Sequence, residues 1–430
     1  MTASATVENP EWVDPEAVFV AWERSAQDIF WLDAGPHATA GWSWIGTGAV
    51  TSVDVVAGRT AGGGATTAAF AGPLAGGWVG WMPYDQAAAR AGAPAREEPG
   101  LAEGRWMSVE SAVGFDHAAR RVWIRAAPDD VDVLADTLHR ASQPAPPRPA
   151  PPSRARARHT PERYRQLIEA CRDAIREGDA YQLCLTTRFE VDDVEDAASV
   201  YRRLRSSAPV HHGGFVRIGG TSLLSASPEQ FLGVAGGRVR TRPIKGTRPR
   251  GATPLADRTL AAELAADTKE RAENVMIVDL MRNDLSRVCE PGSVVVEHLL
   301  DVETYSTVHQ LVSTVSGRLR PAVTVGDLWA ATFPAGSMTG APKLSAMTLL
   351  HALEGAPRGV YSGAFGWVGA DGSLDLAMTI RSIVLTGTCA YVGAGGGITW
   401  RSRADAEVAE VGIKARGPLA ALGATLPAGW

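Results

Sequence analysis

Residues 160–191 read TPERYRQLIEACRDAIREGDAYQLCLTTRFEV, and a change of hydrophobic period inside this stretch decides the fold class. Thr160 carries an N-cap side chain, Pro161 suits the first helical position, and Glu162 follows directly. Tyr164, Leu167, Ile168, Cys171 and Ile175 then recur at helical spacing. Gly178 supplies a stop, and the apolar, β-branched run from Tyr181 onward reads as a strand. Helix feeding strand, repeated as the two alternate to the C-terminus, predicts a mixed α/β (α+β) region over 159–430.

Upstream, SQPAPPRPAPPSRARAR at 142–158 cannot bury apolar surface and favours extended polyproline-like backbone, which predicts a connector. In 1–141, runs such as DIFWLD, GWSWIG, GGWVGWMPYD and RVWIRAA lie between Gly-rich turns. Their aromatic and β-branched content predicts a strand-rich N-terminal part, with its tryptophans packing sheets. Asp129, Asp130 and Asp132 read as a solvated loop.

With 430 residues, 45% hydrophobic content and 21% charged, the chain can bury a large core in two or three lobes. A formal charge of -5 argues against a polyanion-binding face, while leaving room for local cations around a small anion. Cys171, Cys184, Cys289 and Cys389 are far apart and form no CxxC pair, so a reducing cytoplasm fits better than a disulfide framework. No export signal or apolar run of about 18 residues is evident, so a non-membrane protein is expected.

DTKERAENVMIVDLMRND, starting at Asp267, predicts a helix with Asp267 as N-cap and Glu270 as its capping-box partner. Glu270 and Glu273 then share a face at i, i+3. RADAEVAEVGIKARG repeats the device, placing Glu407, Glu410 and Lys414 along one face of a second helix. Two acidic i, i+3 pairs suit Mg²⁺, a hard ion that prefers oxygen ligands. Without such a cation, four carboxylates beside an anionic substrate would repel one another.

The strings SPEQF (227–231), RPIKGTRPRG (242–251), KERAENVMIVDLMRNDLSRV (269–288), TVHQLVS (307–313), FPAGSMTGAPK (333–343), YSGAFGWVG (361–369), AMTIRS (377–382) and AGGGITW (394–400) occur in this order. Together they resemble the chorismate-utilising synthases, a family that includes component I of anthranilate synthase and of aminodeoxychorismate synthase, with the isochorismate and salicylate synthases. The resemblance spans Thr160 to Gly417. It implies an anthranilate synthase component I-type fold, two strand-rich halves packed as a large sandwich with helices outside. PIKGT at 243–247 resembles the aminodeoxychorismate type, since the other members carry Ala in place of the lysine.

The resemblance also assigns roles. Lys245 is implied as a nucleophile that adds at C2 of chorismate and pushes the π system to expel the 4-hydroxyl, after which ammonia attacks C4 and the lysine leaves. Its ammonium must first lose a proton, which burial or a nearby cation would favour. Glu229 is implied as the acid that protonates the departing oxygen, its pKa raised by burial. Mg²⁺ would be held directly by Glu273 and Glu410 and through water by Glu270 and Glu407, and would take the ring carboxylate. Arg381, Tyr361 and the backbone amides of a Gly395, Gly396, Gly397 turn would bind the enolpyruvyl carboxylate. Lys414, His309 and Thr247 complete the implied substrate set. Gln182 joins them, standing where the water-using members carry a lysine base, which favours ammonia as the nucleophile.

Arg401 departs from the Asp usual in this family, and no LLES-like string supports tryptophan feedback. No fused amidotransferase is evident, so a separate glutamine amidotransferase subunit is expected to deliver ammonia. The implied product is 4-amino-4-deoxychorismate, leading to p-aminobenzoate and folate. Anthranilate formation is the alternative, and a non-catalytic chorismate-binding subunit would require loss of acid or magnesium residues that the sequence retains.

Overall fold

The computed structural model describes residues 4–9, 11–63, 76–194, 196–305 and 308–430, so Thr307 of TVHQLVS lies outside the described residues. The helix read from 160–191 runs Pro161–Glu177, with Thr160 Oγ1 accepting the Arg163 N–H and Gly178 ending it at φ +91°. The following strand, Gln182–Val191, is buried almost throughout.

Antiparallel pairing organises the strands into two branches that share Arg105–Asp116. Along one edge of that strand the order is Trp42–Thr51, Ile29–Asp33, His212–Ile218, Thr221–Ser227, Ser382–Thr386, Cys389–Ile398 and Gln182–Val191. Along its other edge come Gly77–Met82, Ala364–Gly369, Leu374–Met378, Gln230–Ala235, Arg238–Thr241 and Val308–Arg318. The last of these also carries Ile244–Pro249 and Val295–Thr304. N-terminal strands therefore pair with strands from 159–430 in both branches.

Successive side chains of a strand point to opposite faces, and both faces of the first branch are buried. Val216, Leu223 and Val384 join Phe231, Leu232, Phe365 and Leu376 of the second branch in one core. Their neighbours Phe215, Leu224 and Ile383 join Phe19, Tyr164, Leu167, Leu204 and Val411 of the helices in another. This double burial explains why these strands read as nearly continuous apolar runs. Trp31, Trp44, Trp81 and Trp106 are fully buried, as expected of sheet-packing indoles.

The connector is fastened down. Residues 142–152 form neither helix nor strand, then Ser153–Arg154 and Arg156–Ala157 pair with 424–425 and with the 182–191 strand. Arg202 and Arg203 donate to the Ala145 and Arg148 carbonyls at 2.6 and 2.8 Å. The acidic run differs from the expected loop, since Pro128–Arg140 is a helix. Pro128 starts it, Asp129 and Asp130 suit its first turn, and Leu134 and Leu138 are buried at i, i+4 spacing.

Phe215, fully buried, meets Phe19 at 5.0 Å and Tyr201 at 5.9 Å between ring centroids. Phe215→Ala is expected to destabilise the chain by about 3–5 kcal/mol, measured by urea unfolding.

Candidate functional site

Lys245 owes its position to a slip of register. Ile244 faces Val312 and Thr247 faces Gln310, so Lys245 and Gly246 together oppose Leu311. Such a bulge re-aims a side chain out of the ladder. Gly246 permits it at φ +83°, where an added Cβ would lie 2.8 Å from Leu264 Cδ1 and 3.1 Å from Glu270 Cγ. The Lys245 side chain is 15% exposed, with Nζ 3.9 Å from Glu273 Oε2.

The two acidic helices form as read, over Thr268–Ser286 and Ala404–Ala421. Asp267 caps the first by accepting the Lys269 and Glu270 N–H groups, while the Glu270 carboxylate feels Glu273, Asp267 and Glu410 as like charges. Lys269 reaches from one helix to the other, 3.7 Å from Glu273 Oε1 and 3.5 Å from Glu407 Oε1. Lys414 donates to Glu410 at 2.7 Å and to the Gly395 carbonyl at 2.8 Å. The chain has four lysines, and three of them stand in this cluster.

Burial and the neighbouring carboxylates push Glu270 and Glu407 upward in pKa. Burial also works to raise Glu410, but Lys414, Lys269 and Lys245 outweigh it and hold that carboxyl below the ordinary value. Glu273 Oε1 is buried without a hydrogen bond. Among the described residues, no three His, Cys, Asp or Glu side chains form a group that could hold a metal as they stand. Lys245, Lys269 and Lys414, with Arg248 4.0 Å from Glu270 Oε1, are counter-charges to the glutamates.

Glu229 follows the Thr221–Ser227 strand and is buried. Burial raises its carboxyl to about 7 despite Lys245, a 3.3 Å hydrogen bond from Ser337 Oγ, and Lys414. Lys245 departs from the expectation that burial would lower it. Desolvation does oppose its charge, but Glu273, Cys184, Glu229 and Glu410 outweigh that and raise its pKa. The structure thus gathers Lys245, Glu229 and the four glutamates into one electrostatic unit.

Tyr361 and Arg381 interact at its side, where burial lowers the Arg381 pKa and Tyr361 and Glu410 oppose that shift. The Tyr361 ring lies so close to Gly393 that an added Cβ would stand 2.1 Å from its Cγ. Gly395, Gly396 and Gly397 form strand rather than the expected turn, pairing with Thr186, Leu185 and Cys184. Their small size answers crowding: a Cβ would meet Leu185 O at 2.5 Å, Glu407 Oε2 at 3.0 Å and Gln182 Nε2 at 2.8 Å, respectively. Beyond Val392 the neighbouring 382–386 strand no longer pairs with their second edge, and Lys414 Nζ donates to the Gly395 carbonyl. Gln182 is fully buried with neither amide atom hydrogen-bonded.

His309 is committed elsewhere. Its Nδ1 meets Thr304 Oγ1 at 2.8 Å and its Nε2 meets Asp257 Oδ1 at 2.9 Å, and Asp257 also binds Arg250. Thr247 is exposed at the end of the bulge. Arg401 stacks over the exposed Trp400 ring, 4.9 Å from its centroid. Sequence reasoning missed Lys269, whose i, i+4 spacing to Glu273 was a usable signal, and Ser337, for which no local pattern pointed to Glu229. A separate cavity of about 320 Å³ lies between the branches, lined by residues including Asp33, Trp42 and His212 of the first and Phe365 and Asp375 of the second, and by none of the predicted site residues.

A family profile described as chorismate binding enzyme matches residues 34–420. The chain is 42% identical over 364 residues to aminodeoxychorismate synthase of Streptomyces pristinaespiralis, covering 80% of this chain and 50% of that protein. It is 39% identical over 374 residues to anthranilate synthase component 1 of Streptomyces coelicolor, covering 81% and 73% respectively. The crystal structure of anthranilate synthase component I from Streptococcus pneumoniae superposes with a TM-score of 0.78 at 29% identity, covering 96% and 98% of the two chains. The chain spans about half the length of the aminodeoxychorismate synthases it matches.

Glu229 makes a thermodynamic test available. The folded state keeps its proton up to about pH 7, whereas the unfolded side chain loses it near 4.5, so ionisation draws stability down as pH rises through that window. Glu229→Gln escapes that loss. Relative to the parent it is expected to gain on the order of 3 kcal/mol between pH 4 and pH 8, read from urea unfolding at both values.

Proposed function

The chain belongs to the family of chorismate binding enzymes, and from that premise we propose that it converts chorismate and ammonia to 4-amino-4-deoxychorismate. One observation carries the choice. Lys245, the residue that distinguishes the aminodeoxychorismate type, stands on a bulge facing Glu273 and in electrostatic contact with Glu229.

In this reading the neutral Lys245 amine forms a bond to C2, both conjugated ring double bonds shift one position toward C4, and the C4–O bond breaks. Glu229 gives the departing oxygen its proton, so water leaves. Ammonia then bonds to C4, both double bonds shift back, and the C2–N bond to Lys245 breaks. Two allylic substitutions replace one difficult displacement of hydroxide. Burial that lifts Glu229 to about 7 supports its role as a proton donor near neutrality.

Magnesium fits the residues present. The donors are all carboxylate oxygens, Glu270 and Glu407 are raised by burial and then by neighbouring carboxylates, and Glu273 keeps a buried oxygen without a hydrogen bond. Glu273 and Glu410 would hold the ion directly, and Glu270 and Glu407 through water. When bound, the ion would anchor the ring carboxylate and offset the negative charge that now holds the Lys245 proton. Arg381, Tyr361 and the second edge of 395–397 take the enolpyruvyl carboxylate, with Lys414 as a further cation. Gln182, whose amide makes no hydrogen bond, completes the binding set. Thr247 follows the Lys245 bulge at its margin, while His309 stays bound to Thr304 and Asp257.

Ammonia is assigned to a separate glutamine amidotransferase subunit, with free ammonium as a poorer source. The product would serve p-aminobenzoate and folate synthesis in the cytoplasm. Full turnover of the pure chain on glutamine alone would remove the partner from this account.

Incubation with chorismate, Mg²⁺ and ammonium is expected to yield a non-aromatic aminated product. Fluorescent anthranilate would favour the component I alternative, and no consumption a binding role. Lys245→Ala is expected to abolish both amination and any chorismate-linked mass on the protein. Glu229→Gln should lower kcat by about 10²–10⁴-fold. EDTA is expected to stop turnover, with Mg²⁺ restoring it. Because the acid must hold its proton, kcat should decline as pH rises through about 7.

A further inference from the structure

The bulge at Lys245 and Gly246 requires support from the strand it interrupts, and the contacts beneath it come from two side chains outside the charged cluster. Asn274 follows Glu273 on the 268–286 helix and is fully buried. Its Nδ2 donates to the carbonyl of Leu311, the residue opposite the bulge, at 3.4 Å. Its Oδ1 accepts from Ser313 Oγ at 2.5 Å. The Ser313 hydroxyl in turn accepts the Leu300 N–H at 2.9 Å, and the Ser313 N–H donates to the Pro243 carbonyl at 3.2 Å, two residues before Lys245.

Leu300 lies in a second irregularity. The register of the 295–304 strand slips between His298 and Asp301, and Leu300 adopts φ +61°, an uncommon backbone for a branched side chain. The 308–318 strand is therefore flanked by a bulge on each edge, and Ser313 contacts the backbone beside both. Asn274 connects that arrangement to the helix of carboxylates. We infer that Asn274 and Ser313 form a positioning clip that holds the Lys245 bulge in register with Glu273. The inference rests on the proposed role of Lys245.

The clip is polar for a reason. An apolar residue at 274 would leave the Ser313 hydroxyl short of an acceptor in a fully buried place. It also would not tie the helix to one register, whereas directional bonds to a carbonyl and a hydroxyl do. Glu273 and Asn274 are consecutive, so a helix that slides off Leu311 and Ser313 carries Glu273 away from Lys245 Nζ, now 3.9 Å distant. Arg381 and Tyr361 lie beside the second branch's 364–369 and 374–378 strands, outside the clip.

Asn274→Ala and Ser313→Ala test this, with Ile168→Val in the helix-side core as a control for general destabilisation. Each clip variant is expected to lower kcat for amination by about 10–100-fold while KM for chorismate stays near the parent's. The second readout needs no substrate: at fixed pH, an amine-reactive ester should label Lys245 faster relative to Lys414 in the clip variants, scored by peptide mass spectrometry. Ile168→Val should leave that ratio unchanged. Parent-like kcat, or an unchanged Lys245 to Lys414 ratio, would overturn the clip. If Asn274→Ala does not fold, Ser313→Ala decides. If the parent makes no aminated product yet the ratio rises in the variants, the functional reading falls and the clip stands.

Discussion

Compensation of like charge is the constraint on which the site depends. Two helices bring four glutamates toward one cleft, and three of the chain's four lysines stand among them. Burial, and after it the neighbouring carboxylates, raise the pKa of Glu270 and Glu407, and nearby cations oppose the shift. Lys414 does so for Glu410, and Lys269 stretches between Glu273 and Glu407. The same field keeps Lys245 protonated although burial opposes it, while Glu229, deeper and less compensated, retains its proton to about 7. An amine and a carboxyl thus sit in one field, and the charge of that field sets the protonation of both.

The sheet explains how these groups meet. Lys245 comes from the far end of the second branch, on a strand paired with 308–318. Gln182 and Gly395 to Gly397 come from the far end of the first branch, where 182–191 pairs with 389–398. Glu229 stands between Thr221–Ser227 of one branch and Gln230–Ala235 of the other. The two acidic helices then contribute from 268–286 and 404–421. No single segment contains the site, which is why its residues are scattered from Gln182 to Lys414.

Much of this was legible in residue order, for physical reasons that differ from element to element. The helices at 161–177 and 268–286 obey local rules of capping, the one at 404–421 forms without a side-chain cap, and the structure places all three where they were read. The buried acid and the lysine came from the resemblance, and the structure joins them. The bulge was hidden, because the register of Lys245 against Leu311 depends on a strand more than sixty residues away. Glycines 395 to 397 suggested a turn, but tight packing against Leu185 O, Glu407 and Gln182, rather than a bend, accounts for them. His309 looked available because its partners Thr304 and Asp257 come from other elements. Asp129 to Asp132 hid a helix because their charges mark its outer surface, while Leu134 and Leu138 form its inner one.

The interleaving of the strands bears on how the chain matures during synthesis. Ile29–Asp33 has one neighbour close in sequence but finds the other at 212–218, and Gly77–Met82 waits for 364–369. Pairings over such separations form slowly, because a long loop must close before any contact rewards it. The first third of the polypeptide consequently leaves the ribosome with adhesive strand edges and no native neighbour to cover them. Sheet closure and assembly of the charged cluster depend on the same late segments, so a nascent chain cut short before them would lack both a closed fold and the groups gathered around Lys245.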